Sequence, residues 1–211
     1  MGQILKFPVP ASKFGFKRVR KPASSENPNQ LHLFPQPTAQ ILHLAAALGC
    51  FEQALMLDER DDEKAAELYL LAIEQQDCVA DAYCNLGIIE SKQGRTAKAF
   101  DCFTSSLKHN PRHLEAHYNL GNMYFEVNDF RLAQIHYEMA VEVDPSFANA
   151  YFNLALVQAV NNELKSAIAS LTRYQELASE AEGRNAEELL DNLKKSLAAA
   201  RTARSGVKQG S

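Results

Sequence analysis

Four cysteines are all that 211 residues contain, and Cys50, Cys78, Cys84 and Cys102 show no C-x-x-C spacing. That excludes the paired-thiolate zinc ribbon and the dithiol redox motif, and leaves buried or half-buried thiols in a reducing compartment. Proline is nearly missing after residue 37. Pro8, Pro10, Pro22, Pro28, Pro35 and Pro37 come early, and only Pro111 and Pro145 follow. No apolar run is long enough to span a bilayer as a helix. Residues 1–8 lack the apolar core of a secretory signal, and Lys6 stands where a myristoylation signal wants Ser or Thr. The cytoplasm is the expected location. There is no phosphate loop, no Ser-His-Asp order and no pair of carboxylates in an apolar setting. Neither enzymatic activity nor a cofactor or metal is expected.

Charge is unevenly spread. The net charge of −4 resolves into +5 over residues 1–30, −12 over 31–183 and +3 over 184–211. An acidic body with basic ends points to tails that touch an anionic partner or fold back on the body. With its prolines, the cluster Lys17-Arg18-Val19-Arg20-Lys21 and Ser24-Ser25, the stretch 1–37 sustains no helix and reads as a disordered arm.

What the chain does have is a period. Ala82-Tyr83-Cys84-Asn85-Leu86-Gly87 recurs 34 residues later as Ala116-His117-Tyr118-Asn119-Leu120-Gly121, and again as Ala150-Tyr151-Phe152-Asn153-Leu154-Ala155. Twelve residues after each Gly or Ala place comes Ala99, Ala133 or Ala167. Four further on comes Phe103, Tyr137 or Leu171, and Pro111 and Pro145 close two units. Such a period marks a stack of supersecondary units. Ala65 and Tyr69 extend it backwards, so a degenerate first unit exists, with Gln53 or Ala54 at the Gly place and a turn longer by one residue. The helices expected are 39–57 (with Thr38 as N-cap), 62–76, 80–93, 96–109, 114–127, 130–143, 148–161, 164–178 and a last one at about 186–203. Asn185 and Glu188 read as a capping box for that last helix. Its stripe Leu189, Leu190, Leu193 and Leu197 suits a cap on the final unit, and the tail 204–211 reads as loose.

The pattern of an aromatic, Leu-Gly, Ala, an aromatic and a closing Pro resembles the tetratricopeptide repeat family over roughly residues 45–181. The resemblance implies an all-α, right-handed superhelical solenoid of about four helix-turn-helix units, with a C-terminal capping helix at 185–203 and the N-terminal arm. Its units would be 45–79 (degenerate), 80–113, 114–147 and 148–181, within a domain at 38–181. It also implies that the first helix of each pair lines a groove for an extended peptide or partner helix. The lining would be Asn85, Ile88, Tyr118, Asn119, Asn122, Phe152, Asn153 and Leu156. Asn85, Asn119 and Asn153 form a ladder whose amides both donate and accept. Of the basic residues that capture a free carboxylate in some repeats of this type, the matching places here hold none, and only Lys92 is basic and nearby. Asp81 and Glu115 make an acidic edge that favours a basic or neutral ligand, of which the chain's own arm is one.

A second motif lies in the arm. Gln30-Leu31-His32-Leu33-Phe34 resembles the pentapeptide that docks replication and repair proteins on the bacterial sliding clamp, with His32 departing from it. Leu31, Leu33 and Phe34 equally suit a cap on the first helices. The basic cluster with Phe14 and Phe16 suits weak, unspecific phosphate contact. His109, His113 and His117 are four apart, but Pro111 interrupts them and His117 holds an aromatic core place. The expected function is a non-enzymatic adaptor that binds a protein or peptide partner. The alternative is an accessory of nucleic-acid metabolism recruited through Gln30, Leu31, Leu33 and Phe34 or the basic cluster.

Overall fold

The computed structural model describes residues 15–20 and 48–207, with 180–183, 185 and 200–207 described by backbone alone. The expected helix at 39–47, its cap Thr38 and the Gln30–Phe34 motif lie outside the described residues. Two units are present. Residues 18–111 hold α1 (Cys50–Asp58), α2 (Lys64–Glu74), α3 (Val79–Lys92) and α4 (Thr96–His109). The residues up to Lys17 and from Arg112 onward hold α5 (Leu114–Glu126), α6 (Phe130–Val143), α7 (Ala148–Val160), α8 (Leu164–Leu177) and α9 (Glu180–Val207). Within each unit every helix packs on the next in sequence. No strand occurs among the described residues. The expected helices 96–109 and 130–143 coincide with α4 and α6 to the residue, whereas Leu48 and Gly49 stay outside α1.

The pairs close because one residue of each first helix carries little or no side chain. A β-carbon placed on Gly87 would meet Phe103 Cε1 at 2.8 Å, and one on Gly121 would meet Tyr137 Cε1 at 2.5 Å. Both rings are fully buried. In the next pair the aromatic is replaced by the smaller Leu171, and there Ala155 takes the glycine place within one core cluster. Size on one helix is thus matched by its absence on the other, as close packing demands.

A left-handed residue ends each first helix, also at a 34-residue spacing: Gly94 (φ 73°), Asn128 (φ 62°) and Asn162 (φ 64°). The following amides bond back across it, Arg95 to Glu90 O, Asp129 to Tyr124 O and Glu163 to Gln158 O, which is the Schellman arrangement. The degenerate pair makes the same turn at Asp61 (φ 52°), where Asp62 donates to Leu57 O. This lies one residue later than the period places it, so the first helix is displaced by one relative to Ala65. Ala54, fully buried, therefore takes the glycine place. The spacing from that place to the buried alanine is one residue shorter than in the other pairs, although the non-helical link Glu59–Glu63 is longer.

The last helix corrects the expected boundary. Ala178 is extended (ψ 159°) and helix resumes at Glu180, so Asn185 lies inside α9 and forms no N-cap. Helix also continues to Val207, past the point where a loose tail was expected. Ala186, Leu190 and Leu193 are buried in one cluster with Phe152, Leu156, Leu171 and Tyr174, and Leu189 and Leu197 pack beside them. The leucine stripe closes the apolar end of the final pair.

Gly121→Ala is expected to lower stability by about 1–3 kcal/mol, because the ring of Tyr137 must move. Combined with Tyr137→Leu, the loss should be smaller than the sum of the two single losses. Urea midpoints of the four chains of the cycle measure this.

Candidate peptide-binding site

Asn85, Asn119 and Asn153 each stand two residues before the glycine or alanine of their pair, and all three are fully buried. A buried amide costs free energy unless its hydrogen bonds are made. In the unit of residues 18–111, Asn85 makes them with an extended backbone. Its Oδ1 accepts from Val19 N at 2.9 Å, and its Nδ2 donates to Val19 O at 3.1 Å. In the other unit Asn119 repeats the exchange. Oδ1 accepts from Lys17 N at 2.8 Å, and Nδ2 donates to Lys17 O at 3.0 Å. Asn122 Nδ2 donates to Gly15 O at 3.4 Å. Residues 15–20 are free of helix and strand.

The side chains of this segment meet acids. Arg18 Nη2 lies 2.8 Å from Asp58 Oδ1, and its Nη1 donates to Asp58 O at 3.2 Å. Asp58 is only 3% exposed. Tyr69 donates its hydroxyl to Asp58 Oδ2 at 3.1 Å and accepts from Asn85 Nδ2 at 3.1 Å, so one phenol fixes both the carboxylate and the amide. Burial holds the Asp58 carboxyl above its ordinary value of 3.8, opposed first by Arg18 and then by the Tyr69 bond. Burial, with the Asp58 charge next, pushes the Tyr69 hydroxyl well up, so it stays a donor. Arg20 Nε lies 3.9 Å from Glu59 Oε1 at the solvent edge, and Val19 is buried. In the other unit the Lys17 ammonium sits 3.8 Å from the centroid of the Phe147 ring and 3.8 Å from Glu115 Oε1.

The remaining expected lining residues have other surroundings. Asn153 donates to Tyr118 Oη at 3.3 Å and to Asn122 Oδ1 at 3.1 Å, and Tyr137 donates to the same Asn122 Oδ1 at 2.7 Å. Tyr118 is buried edge-on to Phe147, and burial pushes its hydroxyl up to about 12. Phe152 and Leu156 belong to the core cluster under α9, and Ile88 is buried. Asp58, Glu59 and Phe147 are site residues that the repeat pattern did not mark, and Tyr69, which it marked as scaffold, joins them. The histidines serve the fold. His113 is the N-cap of α5, its Nδ1 accepting from Ala116 N at 3.1 Å. His117 faces the His136 ring at 3.1 Å, and His109 stacks on Tyr83.

The strength of this attachment follows from its parts. Ordering the backbone of six residues costs about 6–12 kcal/mol. Five hydrogen bonds with asparagine amides return about 0.5–1.5 kcal/mol each. The Arg18–Asp58 contact adds about 1.5–3 kcal/mol, and burial of Val19 a similar amount.

Helix pairs at a 34-residue period, with an extended segment held on the first helices, define a helical-repeat protein. Residues 80–113 and 114–147 match the tetratricopeptide repeat model, so the chain contains tetratricopeptide repeats at those two places. Similar solved structures include the first TPR of Spaghetti (RPAP3) bound to the HSP90 peptide SRMEEVD. It is 25% identical over 56% of this chain and 93% of that one, with a TM-score of 0.52. MamA from Desulfovibrio magneticus RS-1, from residue 41 to its end, is 20% identical over 78% and 92%, with a TM-score of 0.60. The first TPR domain of human RPAP3 is 24% identical over 58% and 95%, with a TM-score of 0.51. No curated protein matches the chain.

Arg18→Ala removes the largest effect opposing the upward shift of Asp58 and so raises its carboxyl further. The penalty for the ionised, buried form is absent below the ordinary value of 3.8 and complete above the raised one. The variant should therefore lose about 1–3 kcal/mol of stability near neutral pH. The loss should shrink as pH falls towards 4, read as the difference in urea midpoint from the parent chain at each pH.

Proposed function

We propose that the chain is a non-enzymatic adaptor that holds an extended segment of a partner protein on the first helices of its repeats. The observation that carries this reading is the double exchange of hydrogen bonds at Asn85 and at Asn119. Each amide reads both polar groups of one backbone residue, whatever side chain that residue bears. Repeats of this family are in general scaffolds without catalytic function, and one RPAP3 neighbour holds a peptide. That peptide is acidic towards its end. Here Asp58, Glu59 and Glu115 face the bound segment, so an acidic tail is the wrong partner for this chain. The four free thiols suit a reducing compartment, and the cytoplasm is the location we assign. No described helix is long and apolar enough to cross a membrane. The basic cluster's Lys17, Arg18 and Arg20 are engaged by carboxylates, which leaves recruitment to nucleic acid through them without support.

Affinity capture from lysate tests the reading with three baits: the full chain, Asn85→Ala with Asn119→Ala, and Leu33→Ala with Phe34→Ala. The adaptor loses its protein partners in the asparagine variant and keeps them in the Leu33/Phe34 variant. The opposite pattern gives the function to the Gln30–Phe34 motif instead.

A further inference from the structure

The unit of residues 18–111 contains a seat with sequence preference, and this inference rests on the adaptor reading above. Three features specify it. Asp58 is a buried carboxylate aimed at a guanidinium, in contact through both its side chain and its main-chain oxygen. Asn85 reads both polar groups of the next residue, whose side chain, Val19, is buried. Glu59 stands at the solvent edge beside the residue after that. Tyr69 ties the carboxylate to the amide, so the arginine pocket and the backbone reader are one structure. The place that Asn85 holds in its pair is held by Glu52 in the preceding pair, once the one-residue displacement of α1 is counted. Residues 48–111 carry six basic and twelve acidic side chains, so the unit around the seat is acidic on balance, with Lys92 the basic group acting on Asp58 from the repeats.

We propose that this seat recognises an extended partner segment with the pattern Arg-Val-basic, and that Arg18-Val19-Arg20 is the chain's own resident copy, which such a partner displaces. An arginine suits the seat better than a lysine because its planar fork meets the Asp58 carboxylate and main-chain oxygen together. A small β-branched residue suits the second place, since the stretch is extended and the side chain is enclosed. The resident copy weakens the apparent affinity for a partner: the apparent Kd is the intrinsic one divided by the fraction of time the seat is empty. Release of the arm and capture of the partner are therefore one equilibrium.

The test uses the full chain, with its arm released by Arg18→Glu and Val19→Pro. The first substitution opposes Asp58, and the second removes the amide that donates to Asn85. The probe is a fluorescein-labelled peptide, Gly-Phe-Lys-Arg-Val-Arg-Lys, followed by fluorescence anisotropy. The released chain should bind it saturably and the parent chain at least about tenfold more weakly. The milder Arg18→Gln chain should fall between them. A peptide with glutamine for its first arginine should bind the released chain about tenfold more weakly, and Asp58→Asn in that chain should erase the difference. Equal binding of the arginine and glutamine peptides overturns the sequence preference while leaving the adaptor reading intact. Equal binding by released and parent chains overturns the resident copy. If no peptide binds the released chain, the adaptor reading falls with the inference.

Discussion

Everything in this chain depends on two aromatic rings lying against helix backbone that has no side chain. Phe103 and Tyr137 approach Gly87 and Gly121 more closely than any β-carbon permits. That approach sets the distance between the helices of a pair. It also places the residue two positions earlier, Asn85 or Asn119, at a buried site where an amide is tolerable only with its hydrogen bonds made. Packing and recognition are thus linked through a spacing of two residues on one helix.

The Asn85 and Asn119 amides bond to the backbone of Val19 and Lys17, each in its own unit, whereas the buried Asn153 Oδ1 accepts no hydrogen bond among the described residues. Asn85 gives one bond to Tyr69 and two to the backbone of Val19. Asn153 gives both of its bonds to neighbouring polar side chains, Tyr118 and Asn122. The same residue at the same repeat place therefore does two kinds of work, and the difference lies in whether neighbouring repeats supply hydroxyl and amide groups. The segment residues held in each unit are basic and meet acids, Arg18 at Asp58 in one and Lys17 at Glu115 in the other. Asp58 is the acid most removed from water, and its carboxyl is raised by that burial even with Arg18 beside it.

Much of the fold was legible because the signals are local and repeat. Helices α4 and α6 end where the pattern says, just before Pro111 and Pro145, and the left-handed turns at Gly94 and Asn128 set where they begin. The start of α9 was misplaced because an Asn–Glu pair can cap a helix or lie along its flank. Only the extended conformation at Ala178 decides between them. The candidate site was partly legible. Asn85, Asn119 and Asn122, expected to line a groove for a partner, bond to the backbone of Val19, Lys17 and Gly15 of the chain itself. Phe152 and Leu156 were named with them and lie in the core, because α9 covers the face they share.

The sequence by itself determined the period, the helical class, the pairing of glycine with an aromatic ring and the opposition of a basic arm to an acidic body. These follow from which side chains recur and where, and recurrence is visible without coordinates. Tertiary structure alone decided the one-residue displacement of α1, the burial of Asp58 and the choice of Arg18 and Val19 as the residues that fill its seat. Those depend on how α1, α2 and α3 are set against one another, and on a contact between residues 40 apart in the chain. No local pattern specifies contacts at that range.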